Sequence, residues 1–261
     1  MRNKYLFETS IQRHKIFETK NSTFYKEFSD IIKDSSCHSS NFVLYEFKTS
    51  LIYNLINFYF DVNTYGIQGA FTKNSHSFKG RLIKDLFVIQ GKVATEMEKE
   101  SMPYLVALES QIVYLEKYFR NGIATKLKGD FANNNIVNFE IKSKDDFLPF
   151  VELYKAEEKK IDLQTFFDKD GNKIALEKLV AERDKVLGID SASKKKKKLA
   201  DYQQEVLNDT RNAMKTNTNK ALGDTVIAID TNPDLEILTT DKSFEILCPI
   251  LEKKQLRINK D

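Results

Sequence analysis

The chain has 261 residues, with 41 lysines and arginines against 38 aspartates and glutamates, which leaves a formal net charge of only +3. A charge so close to balance neither demands nor excludes nucleic acid, so any phosphate binding has to come from a local patch. The length fits one large domain or one domain with a sizeable insertion. With 41% hydrophobic and 30% charged residues, 9 glycines and 4 prolines, the composition is typical of a helix-rich soluble protein.

The cysteines and the hydropathy pattern exclude several further classes. Cys37 and Cys248 lie far apart and form no Cys/His ligand spacing, so a structural zinc site is not expected. This cysteine usage suits a reducing cytosol, and we expect a cytoplasmic protein. The first residues lack the apolar centre of a signal peptide, and no run reaches about 18 apolar residues, so no membrane span is expected.

Common enzyme signatures are also missing from the sequence. It contains neither a P-loop nor a GxGxxG motif, which leaves nucleotide-driven and dinucleotide chemistry without support. The three histidines, His14, His38 and His76, do not cluster with a nucleophile in the sequence. A Ser/His/Asp or Cys/His mechanism therefore has no support either.

The N-terminal part predicts one short strand followed by helices. KYLF at 4–7 is a strand pattern, and a helical pattern begins at Ile11. Apolar residues near helical spacing predict a second helix over 21–34. The stretch 35–42 is a polar break, and 42–60 then predicts a long apolar helix.

The middle of the chain predicts mainly helices. Residues 79–121 favour one or two long helices with a boundary at Met102-Pro103, because proline suits a first helical turn. The alternation of NIVNFEI within 130–142 favours a strand. Charged amphipathic helices are predicted over 145–160 and 173–187.

Five consecutive lysines, Lys194, Lys195, Lys196, Lys197 and Lys198, follow these helices. Such a run is most often a solvated helix or loop. The alternative is a patch that contacts the phosphate backbone of a nucleic acid. The sequence alone leaves both interpretations open.

The C-terminal part changes character and predicts a parallel sheet. ALGDTVIAI at 221–229 has a helix start at Gly223-Asp224. LEILTTD predicts a strand ending at Asp241, KSFEILCPIL a helix, and 255–258 a final short strand. Strand, helix and strand in this order favour an α/β sheet of about four or five short parallel strands.

Four acidic residues fall at element ends or on an apolar helix: Glu8, Glu46, Asp224 and Asp241. Each has an ordinary interpretation of its own, namely a surface residue, an ion-paired helix residue, a helix N-cap and a strand-end turn. Side chains at the carboxyl ends of parallel strands, however, face the crevice where ligands bind. Grouped carboxylates repel one another unless a cation neutralises them, and Mg²⁺ or Mn²⁺ prefers oxygen ligands. The pattern therefore predicts a metal site.

Neighbouring polar residues extend this predicted site. Thr9, Ser10, Thr239 and Thr240 are candidate donors to the acids, and ordinary turn and cap chemistry is their alternative role. Lys48 and Lys242 lie close in sequence to two of the acids. They are candidates for phosphate contact or for local charge balance.

The sequence motifs around the four acids resemble those of the PIN-domain nucleases. KYLFETS is similar to the family's opening strand, which ends in the first acid, and FVLYEFKTSL is similar to the helix that carries the second. LGDTVIAI resembles the D-x-x-I-A helix start with the third acid, and LEILTTDKSFEIL resembles the L-x-T-x-D-x-x-F strand end with the fourth. The last two motifs, with Asp224 and Asp241 spaced by 17, are the most specific.

The resemblance implies a fold and an activity. The expected fold is α/β and PIN-like, with three layers in which helices flank a short-stranded central parallel sheet, plus a large and mostly helical insertion. The expected activity is metal-dependent endoribonuclease chemistry, in which Glu8, Glu46, Asp224 and Asp241 hold Mg²⁺ or Mn²⁺ and no protein nucleophile is needed. RNA as the preferred substrate is implied by the resemblance alone.

Two features depart from the family's pattern. Glu8 stands where the family usually has aspartate, and Asp224 lies 178 positions after Glu46, a longer gap than usual. The expected organisation is an N-terminal core part at 1–64, a helical insertion at 65–204 and a C-terminal core part at 205–261.

The resemblance also suggests biological context, as a bacterial toxin or defence effector controlled by an antitoxin or another regulatory protein. Whether the chain forms a homo-oligomer is left open. Two other functions remain as alternatives: a catalytically decayed PIN-like scaffold that binds proteins, and a metal-dependent phosphatase or nucleotidase built on the same acids.

Overall fold

The computed structural model describes residues 3–18, 20–75, 80–123, 135–156, 161–187 and 194–258. It shows an α/β chain that is mostly helical and has one small parallel sheet, which agrees with the predicted class. The strands are β1 (Lys4–Phe7), β2 (Ser36–His38), β3 (Glu236–Thr239) and β4 (Lys254–Arg257). They lie in the order β2-β1-β3-β4, and each neighbouring pair is parallel.

The N-terminal helices are α1 (Thr9–Phe17), α2 (Thr23–Ile32), α3 (Asn41–Phe47) and α4 (Tyr53–Ser75), with a π-helical segment at Lys48–Ile52 between the last two. The central helices are α5 (Gly80–Glu100), α6 (Tyr104–Arg120), α7 (Asn135–Asn138), α8 (Phe147–Ala156), α9 (Leu163–Asp168) and α10 (Asp170–Leu187). The last helices are α11 (Lys194–Asn208), α12 (Thr216–Ala221), α13 (Gly223–Asp230) and α14 (Phe244–Ile250). Short 3₁₀ turns occupy Lys144–Asp146 and Thr210–Met214.

The two central strands of the sheet, β1 and β3, bury both of their faces. Side chains alternate along a strand, so Tyr5 and Phe7 face one side, where they pack with Phe24 and Phe28 of α2. Leu6 points to the other side and joins the larger core. This larger core contains residues of α3, of the central helices, of α13 and of α14. The sheet therefore lies between two layers of helices, and the three predicted segments share one continuous core.

Two sequence predictions about strands were wrong. The stretch 35–42 was expected to be a polar break, but it contains β2, which pairs with β1 through Cys37 opposite Tyr5. Cys37 is the only buried residue of β2, so the sequence has no apolar run that would predict this strand. The stretch 130–142 was expected to contain a strand, but its described part forms α7. Ile136 and Val137 are adjacent and both buried, which suits a helical turn rather than a strand with one buried face.

Several other predicted elements are present. The helix predicted over 42–60 is divided by the π-helical segment, and α4 continues to Ser75. The long helical stretch after residue 79 divides at Pro103, which is the N-cap of α6. The helix predicted from Gly223-Asp224 is α13, although Leu222 rather than Asp224 is its N-cap. In the described part of the chain, no helix combines the length and the apolar character that a membrane crossing requires.

Candidate functional site

The first and fourth predicted acids follow neighbouring strands at the point where the chain order of the sheet reverses. Glu8 follows β1 and Asp241 follows β3, and these strands are neighbours in the sheet. From β1 the chain continues to β2 on one side, whereas from β3 it continues to β4 on the other. In open parallel sheets, a crevice for ligands opens at such a switch point, outside the carboxyl ends of the strands.

The Glu8 carboxylate is buried and heavily hydrogen-bonded. Its Oε2 accepts the backbone N–H of Ser10 at 2.7 Å. Its Oε1 accepts the Ser10 hydroxyl, the Thr239 hydroxyl at 3.0 Å and the Thr240 N–H at 3.4 Å. Glu8 is also the N-cap of α1. A carboxylate has about four lone-pair sites, so most of the hydrogen-bond acceptor sites of Glu8 are occupied. These hydrogen bonds join the end of β1 to the end of β3.

Burial and hydrogen bonding act in opposite directions on the pKa of Glu8. Burial removes water from the carboxylate and raises its pKa above the ordinary value. The donors on Ser10, Thr239 and Thr240 favour the charged form and oppose the rise. The net pKa is raised.

Glu46 projects from α3 toward the same edge of the sheet. Its Oε2 accepts the hydroxyl of Thr9, the residue that follows Glu8. Its Oε1 lies against Gly223 at the start of α13, where a Cβ atom would overlap the carboxylate oxygen. Burial is the largest of the effects that raise the pKa of Glu46 to about 8; the Thr9 hydroxyl opposes the rise, and the negative charges of Asp224 and Glu8 add to it. The charge of Glu46 is thus coupled to the charges of Asp224 and Glu8.

Asp224 and Asp241 are joined through one hydroxyl group. The Oγ of Ser243 lies 2.5 Å from Oδ2 of Asp224 and 3.0 Å from Oδ1 of Asp241. The Ser243 N–H also donates to Oδ1 of Asp241 at 2.9 Å, and the Asp241 N–H donates to the Thr239 hydroxyl at 2.9 Å. A serine hydroxyl has a single proton to donate. The two carboxylates therefore share one donor, which holds them close together.

The four acids differ in their access to solvent. Glu8 is buried, whereas Glu46, Asp224 and Asp241 each keep part of their side chains exposed. A ligand entering the crevice would therefore reach the last three acids first. Among the described residues, no group of three or more His, Cys, Asp or Glu side chains is already arranged to hold a metal ion.

Lys48 does not face the crevice, and the prediction that it contacts phosphate was wrong. Its side chain is fully buried, and its ammonium group donates to the backbone oxygens of Ile136 at 3.0 Å, Val137 at 3.3 Å and Phe139. It also forms an ion pair with Glu116 at 3.6 Å. A cation at the last carbonyls of a helix is stabilised by the helix dipole. Lys48 thus caps α7 and links it to the helical segment that follows Glu46.

The other predicted basic residues lie on the surface. Lys242 is exposed, between Asp241 and Ser243, and Lys197 and Lys198 are exposed near the start of α11. The side chains of Lys194, Lys195 and Lys196 lie outside the described part of the structure, as does His76.

The sequence reasoning missed two residues of the site. Ser243 was read only as part of the pattern before α14, although its position two residues after Asp241 allows a local turn bond to that aspartate. Gly223 was read as a helix-start signal, whereas its lack of a Cβ also makes room for Glu46. The Ser243 contact to Asp224 has no signal in a single sequence, because it depends on how α13 packs against α14, whose N-cap is Ser243.

Comparison of the chain with protein-family models, with curated proteins and with solved structures finds no match. The resemblance to PIN-domain nucleases therefore rests on the four short motifs of the sequence. The structure contributes independent information, which is the arrangement of Glu8, Glu46, Asp224 and Asp241 at the carboxyl edge of a parallel sheet.

Proposed function

We propose that the protein is a PIN-like, metal-dependent endonuclease that hydrolyses phosphodiester bonds at the acidic crevice between β1 and β3. The observation that carries this proposal is the linkage of the acids at one sheet edge. Glu8 and Asp241 lie 233 positions apart in the sequence, yet both flank the switch point. Glu46 and Asp224 approach the same edge from α3 and α13, which pack against each other.

The donor set suits a hard divalent cation. The groups that approach one another are carboxylates, and both charges that act on the pKa of Glu46 are negative. Mg²⁺ and Mn²⁺ prefer such oxygen ligands. An ion of this kind supplies activation of water and stabilisation of negative charge on the phosphoryl group. The partly exposed acids Glu46, Asp224 and Asp241 would hold it, and their side chains would have to turn toward the ion.

The surrounding residues would keep the acids in place. Ser243 holds Asp224 beside Asp241, and Thr9 orients the Glu46 carboxylate. Without a cation, the raised pKa of Glu46 favours its protonated form. This proton has to leave before Glu46 can act as an anionic ligand. Glu8, with most of its lone pairs used, would support the site by fixing the two strand ends rather than by supplying the principal ligand.

RNA as the substrate, and control by an antitoxin or another regulatory protein, are proposed from the family resemblance. The first test is to incubate the protein with labelled single-stranded RNA, structured RNA and DNA in Mn²⁺, Mg²⁺ or EDTA. We expect cleavage that requires the metal and is lost in Asp241→Asn. Asp234→Asn is the matched control, since it makes the same chemical change on an exposed residue before β3.

The outcomes of this test separate the proposal from its two alternatives. If small phosphate esters are cleaved but RNA and DNA remain intact, the protein is a phosphatase or nucleotidase. A nuclease site that binds Mn²⁺ only in the folded state should raise the melting temperature. If no substrate is cleaved and Mn²⁺ leaves the melting temperature unchanged, the protein is better described as a PIN-like scaffold.

A further inference from the structure

Helix α1 contains a fully buried amide side chain that has no hydrogen-bond partner. Gln12 has no exposed surface, and neither its Oε1 nor its Nε2 forms a hydrogen bond with any described residue. Buried polar groups are nearly always hydrogen-bonded, because a buried group without a partner lowers the stability of the fold. An aliphatic side chain, like those of the buried residues Ile11 and Ile16 nearby, would fill this place without that cost. The amide therefore calls for an explanation through function.

Helix geometry directs this amide toward the acidic crevice. Gln12 follows Thr9 by three positions, so the two residues are neighbours on one face of α1. The backbone N–H of Gln12 donates to the Glu8 carbonyl oxygen at 3.2 Å, so the helical spacing holds in this turn. Long side chains of a helix lean toward its N-terminus, which directs Gln12 toward the turn of Glu8 and Thr9. This is the end of α1 that borders the acids.

Thr9 connects this turn to one of the acids. Its hydroxyl donates to Oε2 of Glu46. A threonine hydroxyl has one proton to donate and two lone pairs that accept hydrogen bonds. The Thr9 proton is used on Glu46, and no described residue donates to the Thr9 oxygen. The lone pairs of Thr9 are therefore free to accept a hydrogen bond from the Gln12 amide.

We propose that Gln12 is a positioning residue of the acidic site, which donates to the Thr9 hydroxyl oxygen and so keeps the Thr9 proton directed at Glu46 when a metal ion binds. This inference rests on the proposed function, because it concerns the orientation of a metal ligand. The Glu46 carboxylate has to turn toward a bound ion, and the Thr9 hydroxyl has to turn with it. A donor behind Thr9 limits the orientations of that hydroxyl to those that still reach Glu46.

Calorimetric titration with Mn²⁺ compares the wild-type chain with Gln12→Met, which keeps the length of the side chain and removes its donor and its acceptor. We expect the Kd for Mn²⁺ to rise about tenfold, as when other groups that orient metal ligands are removed. The melting temperature in EDTA should rise by about 2 °C, because the variant no longer buries an unpaired amide. Thr218→Val is the matched control. It removes another buried polar group without a described partner, the hydroxyl of Thr218 in α12, and should leave the Kd unchanged.

A double variant tests whether Gln12 acts through Thr9. Thr9→Val removes the hydroxyl and should weaken Mn²⁺ binding by itself. Adding Gln12→Met to Thr9→Val should cause no further loss of affinity, because the two residues form one chain of hydrogen bonds to Glu46. Additive losses in the double variant would overturn the route through Thr9.

The remaining outcomes separate this inference from the proposed function. If Gln12→Met lowers the melting temperature and the Mn²⁺ affinity together, the amide has a structural role and the inference is wrong. An unchanged Kd in Gln12→Met, with Mn²⁺ binding and cleavage intact in the wild-type chain, overturns the inference alone. A wild-type chain that neither binds Mn²⁺ nor cleaves any substrate overturns the proposed function, and the inference with it.

Discussion

Asp224 and Asp241 come from different elements and share a single hydroxyl donor, the Oγ of Ser243, at 2.5 and 3.0 Å. Two carboxylates that contact one hydroxyl group repel each other, and a bound cation offsets this repulsion. The Ser243 hydroxyl partly offsets the repulsion and fixes the relative position of the pair. It thereby links α13 to the end of β3.

Replacing Ser243 by alanine should weaken the proposed metal site more than the fold. We expect the Kd for Mn²⁺ to rise about tenfold, equivalent to about 1.4 kcal/mol, because the two carboxylates lose their common donor. Calorimetric titration with Mn²⁺ measures this change. Ser110→Ala is a matched control, since the Ser110 hydroxyl donates only to the Val106 carbonyl of its own helix. Equal affinities in both variants would contradict the assigned role.

Glu8 should contribute to stability more than to metal binding. In Glu8→Gln the amide nitrogen would face groups that already donate, so we expect the free energy of unfolding to fall by about 3 kcal/mol. Urea denaturation without metal measures the loss, and Asp241→Asn should lose less because it is more exposed. A Glu8→Gln protein that keeps its stability but no longer binds Mn²⁺ would identify Glu8 as a metal ligand instead.

Local patterns in the sequence predicted the elements that carry the acids. The KYLF strand pattern, the Gly223-Asp224 helix start and the LEILTTD strand end correspond to β1, α13 and β3. Because the carboxyl ends of parallel strands share one edge, these elements were enough to predict that Glu8 and Asp241 lie near each other. The short strand β2 was not predicted, because one buried cysteine is not enough to define a strand pattern.

Long-range contacts could not be predicted from a single sequence. Lys48 was expected to contact phosphate because it lies two residues after Glu46. Its hydrogen-bond partners are instead backbone oxygens 88 to 91 positions away, in α7 and just beyond it. The saturation of Glu8 by donors from Thr239 and Thr240 likewise depends on the pairing of β1 with β3. Proximity in sequence identified residues near the site, whereas packing determined which of them face the crevice.

The stability of the metal-free protein should fall as pH rises from about 5 to 8. Glu46 has a folded-state pKa of about 8, above its ordinary value of 4.5, so the native state binds this proton more tightly than the unfolded chain. The stabilising effect is complete below pH 4.5 and is lost as pH rises through 8. Its slope cannot exceed about 1.4 kcal/mol per pH unit, and the partial exposure of Glu46 reduces it.

Thermal denaturation in EDTA at several pH values measures this slope. Glu46→Gln, which cannot titrate, should flatten it relative to the wild-type chain. The Mn²⁺-induced rise in melting temperature should grow over the same pH range, because the ion competes with the proton on Glu46. A wild-type stability that is independent of pH over this interval would show that Glu46 is already ionised without metal.

The contact of Gly223 with Glu46 predicts a defect in function without a defect in folding. In Gly223→Ala the new methyl group overlaps Oε1 of Glu46, and the flexible carboxylate has to move. We expect Mn²⁺ affinity and cleavage to fall at least about tenfold, with little change in melting temperature, because alanine suits a helix. In the control Gly91→Ala nothing lies within 4 Å of the added Cβ, and activity should be unchanged. Equal activity in both variants would contradict the proposed position of Glu46.

Substitution of Lys48 should lower the stability of the fold, whereas substitution of Lys242 should weaken RNA binding. Lys48→Met removes the cation that pairs with buried Glu116 and caps α7, so the free energy of unfolding should fall by about 3 to 5 kcal/mol. Lys242→Gln changes an exposed residue and should leave stability within about 0.5 kcal/mol while weakening RNA binding. Urea denaturation and anisotropy on both variants test this contrast. If folded Lys48→Met loses RNA affinity at unchanged stability, Lys48 contacts phosphate after all and the closed packing of α7 on the π-helical segment is wrong.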